Sequence, residues 1–383
     1  MPNTNDGLTN ARKGKNDEFY TQYPDIQNEV NYYLEYDPDT FKNKIVLLPC
    51  DDPEWSNFTK FFAQNFERLG LKKLISTSFS TESKNLYSEG YQFTIEDFLT
   101  DFEQKSPQYD AEISPKRGKI FTLTRKNTKK IDIDDLEWSY LKGDGDFRSN
   151  EVKKLRDEAD IIVTNPPFSL FREFVTWIME ANKKCLIIGN INCITYKEFF
   201  PLIMENKIWT GCRFNKRING KNMMFTVPDN YPSSGTEIFT DEDGKRYISV
   251  AGTGWFTNLE HGRRHQPLAL MTMADNLKFS KHKEIIERGY PKYVNYDAIE
   301  VSYSDAIPSD YDGLMGVPIS FLNMYCPEQF EIVGISLDLA DDMKNHADKG
   351  EFMQGGKRFY LDETNGNYKY KRMYDRIVIR RRK

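Results

Sequence analysis

The sequence predicts an α/β protein with a doubly wound, mostly parallel sheet, and three short segments carry this prediction. Residues 45–49, 160–164 and 185–190 are apolar runs of the kind that form buried strands. Between the second and third runs, apolar side chains recur at helical spacing: Leu170, Phe171, Phe174, Val175, Ile178 and Met179. A strand, a helix and a strand in fully apolar runs indicate parallel strands that are covered on both faces.

The first part of the chain supplies further elements. Residues 1–40 are polar, and their Tyr-Pro and Asp-Pro steps argue against one long helix. Ser56 is placed to cap a helix whose phenylalanines lie on one side, and residues 71–79 offer a second strand. Ser169 is expected to cap the helix after the second apolar run. The phenylalanines are Phe58, Phe61, Phe62 and Phe66.

Residues 80–140 are charged and irregular, with a hairpin expected around 120–123. We interpret them as an insertion on the core fold. Closing strands are expected at 223–227 and 247–259. The chain is therefore expected to form a domain over residues 1–265 and a smaller region over 266–383.

The composition narrows the class of protein. No apolar run approaches the roughly 20 residues that span a bilayer, and the polar N-terminus lacks the apolar stretch of a signal peptide. Five cysteines are scattered without a Cys-x-x-Cys pair, and the chain has only four histidines. We therefore expect reduced thiols, a cytoplasmic protein, no metal site and no membrane partner.

The charge is less informative. The net charge is −5, whereas nucleic-acid-binding domains are usually basic. Phosphate contacts are local, however, so the distribution of charge matters more than its sum. Clusters that include Lys13 with Lys15, Arg213 with Lys216 and Arg217, and Arg263 with Arg264 are candidates for DNA contacts. Solvated surface charge explains any one cluster equally well.

Ligands of open α/β sheets bind beyond the carboxyl ends of the strands, where residues 165–168 read Asn-Pro-Pro-Phe. An exocyclic purine amine is a poor nucleophile because its lone pair is delocalised. Two acceptors, the Asn165 side-chain oxygen and the Pro166 carbonyl, can favour a tetrahedral nitrogen. Pro166 and Pro167 stiffen the loop, and Phe168 offers a flat face to a base. A proline-stiffened turn without chemistry is the alternative interpretation.

The tetrapeptide matches the N-P-P-[YF] motif of amino-group methyltransferases, and the chain resembles the EcoRI-type adenine-specific DNA methyltransferase family. The resemblance extends from about Lys15 to the C-terminal tail, over segments that include 50–58, 143–147, 160–173, 255–259, 295–301 and 310–318. It implies a Rossmann-like methyltransferase fold, S-adenosyl-L-methionine as the cofactor, and an adenine flipped out of double-stranded DNA as the substrate. It also implies direct methyl transfer to N6, without a covalent intermediate.

The resemblance implies roles for further residues. Tyr20 and Thr21 belong to a segment that lies against the methionine part of the cofactor. Asp52 and Pro53 begin the cofactor loop, which also includes Pro49, Ser56 and Phe58. Ser56 and Phe58 stand where glycines are usual, so a dinucleotide is not expected. Asp146 and Phe147 correspond to residues that contact the cofactor's adenine.

Two positions differ from the family pattern or have a second interpretation. The end of the second strand, residues 75–78, has no acid to hold the ribose hydroxyls. Cys50 follows a proline, as the nucleophile of cytosine C5 methyltransferases does, but it precedes the catalytic loop by far, and we interpret it as a packed thiol.

By exclusion and by family order, residues 266–383 are the predicted target-recognition region, with packing against the catalytic core as the alternative. The resemblance further implies restriction-modification, with a co-encoded restriction endonuclease as a potential partner. Two other functions stay open from the residues alone. One is an RNA adenine or protein-glutamine methyltransferase, and the other is a DNA-binding protein with a degenerate methyltransferase fold.

Overall fold

The computed structural model describes residues 20–54, 56–80, 109–125, 138–212, 223–227, 238–250, 252–363 and 366–382. The chain divides into two compact units. The first unit comprises Met1–Ile191 and Thr210–Glu260, and the second comprises Asn192–Trp209 and His261–Lys383.

A central eight-stranded sheet has the order β5-β4-β3-β2-β6-β7-β12-β8. The four strands β3, β2, β6 and β7 are parallel, which confirms the predicted α/β fold. Because the chain continues from β2 to β3 on one side and reaches β6 on the other, a topological switch point lies between β2 and β6. The strands are β2 Ile45–Leu48, β3 Lys73–Thr77, β4 Lys119–Thr124, β5 Trp138–Tyr140, β6 Ile161–Thr164, β7 Lys184–Asn190, β8 Trp209–Thr210 and β12 Thr253–Thr257.

The segment around 120–123, where a hairpin was expected, forms β4 of this sheet. β4 pairs antiparallel with β3, and β5 pairs antiparallel with β4, so this stretch extends the core sheet and is not an insertion on it. The alternating burial of β4, with every second side chain exposed or half-buried, explains why its sequence lacks the continuous apolar run of the central strands. The rest of the expected insertion, residues 81–108 and 126–137, lies outside the described residues.

The predicted closing strands are only partly correct. β12 does pair with β7, but the segment 247–259 is split by Gly252, whose φ of +72° fits glycine and breaks the run. The strand at 223–227 and the first half of 247–259 belong to a second sheet of order β1-β9-β11-β10. Its strands are β1 Tyr20–Thr21, β9 Met224–Thr226, β10 Ile238–Thr240 and β11 Arg246–Ser249.

Two helices of the first unit show how local sequence sets helix ends. Helix α1, Tyr23–Tyr36, has Pro24 in its first turn, where the missing N–H is harmless; the sequence analysis did not predict it. Helix α2, Asn57–Gln64, is capped as predicted, because the Phe58 N–H donates to Ser56 Oγ at 3.0 Å. The four phenylalanines predicted to lie on one side of this helix are all buried, although Phe66 follows the end of the helix at Gln64.

Ser169 does not cap the helix that follows the catalytic loop. A 3-10 turn, Phe168–Leu170, contains it, and helix α4 begins only at Phe171, with Leu170 in the N-cap position. The remaining helices are α3 Asn150–Glu158, α4 Phe171–Glu180, α5 Phe200–Met204, α6 Met273–Phe279, α7 Lys283–Arg288 and α8 Ser336–Leu339.

The second unit contains a four-stranded sheet of order β13-β14-β18-β15 and a hairpin of β16 with β17. Arg376 and Glu300 form a buried ion pair at 2.9 Å, and the Tyr293 hydroxyl donates to the same carboxylate. No helix within the described ranges is long and apolar enough to cross a membrane. The strands are β13 Ile299–Glu300, β14 Met315–Pro318, β15 Phe330–Ile335, β16 Tyr360–Asp362, β17 Tyr370–Arg372 and β18 Arg376–Arg381.

Candidate active site

Two loops leave the central sheet at its switch point. Leu47 of β2 is in register with Ile162 of β6, so the loop after β2 and the loop that begins at Asn165 start at nearly the same level. Both strands are buried along their whole length. The crevice beyond adjacent strands at a switch point is where α/β sheets bind ligands, and both motifs singled out in the sequence lie there.

Asp51, which the sequence analysis did not assign, lies at the centre of the loop after β2. Its carboxylate is buried and accepts hydrogen bonds from Ser56 Oγ and from Thr164 Oγ1, both at 2.6 Å. Burial, together with the neighbouring charge of Asp52, raises the pKa of Asp51 to about 7 in spite of these two hydrogen bonds. Only the three-dimensional structure brings Thr164 to this carboxylate, so the sequence spacing held no signal for it.

Asp52, the predicted cofactor-binding acid, faces a lysine from the neighbouring part of the sheet. Lys119 Nζ lies 3.3 Å from Asp52 and 2.6 Å from Glu54, and its ammonium stands over the Trp138 ring at 4.8 Å. Two carboxylates therefore share one nearly buried ammonium. This cluster keeps an excess of negative charge, which suits a further cationic group.

The predicted Tyr20–Thr21 segment forms β1 and lies next to the start of α2. The Asn57 amide donates to the Thr21 carbonyl at 2.7 Å. This hydrogen bond links β1 to α2, the helix that follows the loop after β2. The Thr21 hydroxyl is buried and finds no hydrogen-bond partner among the residues that the structure describes. A buried hydroxyl in that state is a candidate for binding a polar ligand. For Tyr20 only the backbone is described.

Other members of the predicted cofactor loop have contacts within the protein, and their contacts with the cofactor stay predictions. Pro49 and Pro53 are buried, and the Pro49 carbonyl accepts a hydrogen bond from Thr77 Oγ1 at 3.2 Å. Phe58 packs edge-on against Trp255 in the core. Cys50 is half-buried in the same loop.

Backbone segments cross closely beyond the end of β3, the strand end that has no acidic residue to bind the ribose hydroxyls. A Cβ on Gly118 or on Gly145 would lie well inside contact distance of the Ser78 carbonyl, so only glycine permits this crossing. The Ser80 N–H donates to the Asp144 carbonyl at 2.7 Å. The crossing thereby brings Asp144, which the sequence analysis did not assign, to the end of β3.

Asp146 and Phe147 follow in the same segment. The Asp146 carboxylate binds the Arg148 guanidinium at 2.6 Å. The Phe147 ring is buried against Phe174 and Trp177 of α4. Both residues therefore have protein partners, and their contact with the cofactor's adenine stays a prediction.

The Asn-Pro-Pro-Phe loop follows β6 directly. Asn165 is half-buried directly after β6, Pro166 is buried and Pro167 is half-buried. Phe168, also half-buried, packs against the main hydrophobic core of the first unit. The Leu170 N–H donates to the Pro167 carbonyl at 3.0 Å, which fixes the turn into α4.

The candidate DNA contacts are described only in part. Five of them, Lys13, Lys15, Arg213, Lys216 and Arg217, lie outside the described residues. Arg263 is half-buried in the 3-10 turn Gly262–His265. Arg264 is buried: its guanidinium lies over the Trp209 ring at 3.9 Å and donates to Asn206 at 2.8 Å. These contacts hold the Arg264 guanidinium inside the second unit. DNA contacts of Arg263 and Arg264 stay predictions.

Across the described ranges, no group of three or more His, Cys, Asp or Glu side chains is arranged to hold a metal ion.

The parallel sheet, the ligand loops at its switch point and the Asn-Pro-Pro-Phe turn together define a Rossmann-like methyltransferase. A profile of the family described as adenine-specific methyltransferase EcoRI matches residues 7–382. The chain belongs to this family, and it is an adenine-specific methyltransferase. Its site must therefore hold a methyl donor.

Relatives of similar length match most of the chain. The chain is 44% identical to the type II methyltransferase M.EcoRI of Escherichia coli over 330 residues, which are 86% of this chain and 89% of that protein. It is 35% identical to the type II methyltransferases M.MgeORF184P of Mycoplasma genitalium and M.MpnI of Mycoplasma pneumoniae, with 97% of each chain covered. No solved structure shows significant similarity to the chain.

Proposed function

We propose that this enzyme transfers a methyl group from S-adenosyl-L-methionine to N6 of an adenine that is flipped out of double-stranded DNA. The observation that carries the proposal is the Asn165–Phe168 loop, held rigid at the switch point beside the loop after β2. Membership of the adenine-specific family supports adenine as the base that is methylated. The type II relatives support a role in DNA modification that protects against a co-encoded restriction endonuclease. We place this activity in the bacterial cytoplasm, where such DNA is found.

The residues around the loop after β2 fit S-adenosyl-L-methionine. The excess carboxylate of the Asp52, Glu54 and Lys119 cluster suits its ammonium, and the buried Thr21 hydroxyl can bind its methionine part. Asp144, at the end of β3, replaces the acid that the strand itself lacks. When bound, the cofactor supplies an electrophilic methyl group on a positively charged sulfur. The chain supplies no glycine-rich pyrophosphate loop here, in agreement with a mononucleoside ligand.

The catalytic loop then acts on the adenine. The Asn165 side-chain oxygen and the Pro166 carbonyl accept the two N–H groups of N6, which directs the nitrogen lone pair away from the ring and toward the methyl donor. Phe168 stacks on the base. The nitrogen loses one proton to water after transfer. Positioning and preorganised acceptors, without an acid or a metal, account for the rate enhancement in this mechanism.

We further propose that the second unit reads the target sequence and that its C-terminal part binds the phosphates. Residues 349–383 contain eleven lysines and arginines but four acidic residues, whereas the whole chain has a net charge of −5. The Met373 N–H donates to the Phe359 carbonyl and Arg358 pairs with Asp375. These contacts bring Lys357 close to the turn that contains Tyr374, whose side chain is 87% exposed. An exposed aromatic ring among cations suits a nucleic-acid groove.

The first experiment is methyl transfer from labelled S-adenosyl-L-methionine to duplex DNA of mixed sequence, followed by digestion to nucleosides and mass analysis. Labelled N6-methyladenine is the expected product. If the label enters RNA or protein instead, that molecule and not DNA is the substrate. A protein that neither binds the cofactor nor transfers label would be a degenerate methyltransferase fold.

A further inference from the structure

The Asp51 carboxylate joins the two loops of the site through its two oxygens. One oxygen accepts from Ser56, which caps α2 at the end of the cofactor loop, and the other accepts from Thr164. The backbone of Asp51 is bound as well: its N–H donates to the Thr77 carbonyl at 3.0 Å, and its carbonyl accepts from Ser76 Oγ at 2.5 Å. This one residue therefore connects the ends of β2, β3 and β6.

Thr164 is fully buried and directly precedes Asn165. Its backbone is fixed in the parallel ladder opposite Ile187 of β7, so its side chain is the part that reaches toward the loop after β2. A change in the position of Asp51 must therefore shift the residue next to the catalytic asparagine, because close-packed interiors transmit small displacements.

We propose that Asp51 is a positioning residue, which transmits occupancy of the cofactor loop through Thr164 to the Asn165–Phe168 loop. The inference rests on the proposed function and extends it: it names how binding of the methyl donor prepares the acceptor site. Hydrogen bonds from hydroxyls to an ionised carboxylate are short and strong in a buried place, so the ionised form holds both loops in one arrangement.

Charge gives the coupling its direction. Asp51 has the carboxylate of Asp52 as a neighbour, and the same loop carries Glu54. Lys119 of β4 places its ammonium beside Asp52 and Glu54. A cationic ligand bound here favours the ionised form of Asp51, in which both oxygens accept. A protonated carboxyl has to donate from one oxygen, so at least one of the two hydroxyls must reorient. Ligand binding thus tightens the Thr164 contact.

The test separates coupling from methyl transfer. Hydrogen exchange is measured on the peptide that covers residues 165–172, with and without saturating S-adenosyl-L-methionine and without DNA. In the wild type, the cofactor is expected to slow exchange of this peptide at least about fivefold. In Thr164→Val the slowing should be lost while the cofactor dissociation constant changes less than threefold. Thr164→Ser, which keeps the hydroxyl, should restore it.

Thr257→Val is the matched control, because Thr257 is equally buried but its hydroxyl donates to the Cys185 carbonyl. This variant should retain the wild-type slowing even if it is less stable. Equal slowing in wild type and Thr164→Val, or no slowing in the wild type, would overturn the coupling.

Single-turnover methyl transfer with saturating cofactor and DNA gives the second readout. Thr164→Val should be at least about tenfold slower than wild type, and Thr257→Val should not. If the wild type shows the exchange effect but leaves duplex DNA unmodified, the proposed function is contradicted while the coupling is not. A Thr164→Val enzyme that transfers methyl groups at the wild-type rate would contradict the coupling.

Discussion

At the scale of single residues, the proposed function assigns the chemistry to Asn165. Replacing it by alanine removes one of the two acceptors proposed for N6. Loss of one preorganised hydrogen-bonding group in a transition state costs about 10²- to 10³-fold in rate. We therefore expect Asn165→Ala to slow single-turnover methyl transfer by about that factor and to leave the cofactor dissociation constant nearly unchanged.

Asn165→Asp is the matched comparison, since it keeps an acceptor oxygen in the same place. It should lose less activity than Asn165→Ala. Unchanged turnover in Asn165→Ala, or an equal loss in both variants, would remove the role assigned to the side-chain oxygen.

Asp51 makes a second residue-level prediction, about stability and pH. Burial raises the pKa of Asp51 to about 7, whereas aspartate in an unfolded chain titrates near 3.9. Between about pH 4 and pH 7 the folded protein therefore binds more protons than the unfolded one, and its free energy of unfolding falls as pH rises. The full effect is about 4 kcal/mol.

Asp51→Asn removes this contribution. The difference in free energy of unfolding between variant and wild type should increase in favour of the variant from pH 4 to pH 7 and level off above it. Denaturant titrations of both proteins at a series of pH values measure this. Parallel pH profiles would show that the Asp51 carboxyl is ionised in the folded protein throughout the window.

At the scale of elements, the packing of α4 on β7 depends on Gly189. A Cβ at this position would lie 2.5 Å from the Phe171 ring, at the start of α4. Since the ring also contacts Phe256, it has little room to move. Gly189→Ala should cost about 1–3 kcal/mol of stability, as overpacking does, and should displace the catalytic loop that precedes α4.

Gly143→Ala is the control for this variant, because a Cβ there meets only the Glu151 carboxylate at an ordinary 3.5 Å. Thermal unfolding of the two variants and the wild type compares them. An equal melting temperature for Gly189→Ala and Gly143→Ala would show that the Phe171 ring can move aside without loss of stability.

The elements also show what the sequence could predict. β2, β6 and β7 were predictable because they are buried on both faces and read as apolar runs. β4 was assigned to an insertion, since alternating exposure leaves no such run. α1 was missed because its prolines stand at its ends, where they are tolerated. The motif residues were singled out by pattern. Only the fold brings Thr164 to Asp51, and Lys119 to Asp52 and Glu54.

At the scale of the whole molecule, charge is separated along the chain. If the C-terminal part of the second unit binds phosphates, the double variant Lys357→Ala/Arg372→Ala should weaken DNA binding. The slope of log affinity against log salt should become shallower by about 2, because each phosphate contact contributes about 0.9. Binding titrations over a range of salt concentrations measure the slope.

Lys292→Ala/Lys344→Ala is the matched control, since both lysines are exposed in the acidic part of the same unit. Its slope should equal that of the wild type. A slope that changes equally in both double variants would indicate a general effect of net charge and would contradict a phosphate-binding surface at Lys357 and Arg372.

The small sheet that contains Thr21 has a consequence for how the enzyme folds. β1 pairs with β9, and Gln22 bonds to Thr226 across a sequence separation of 204 residues. Contacts of such long range form late, because closing a long loop costs entropy before any contact repays it. During refolding or synthesis, the parallel strands can therefore assemble before β1 is in place. A newly made chain thus acquires the Thr21 part of its proposed methyl-donor site only after synthesis has passed β9, well beyond the Asn-Pro-Pro-Phe loop.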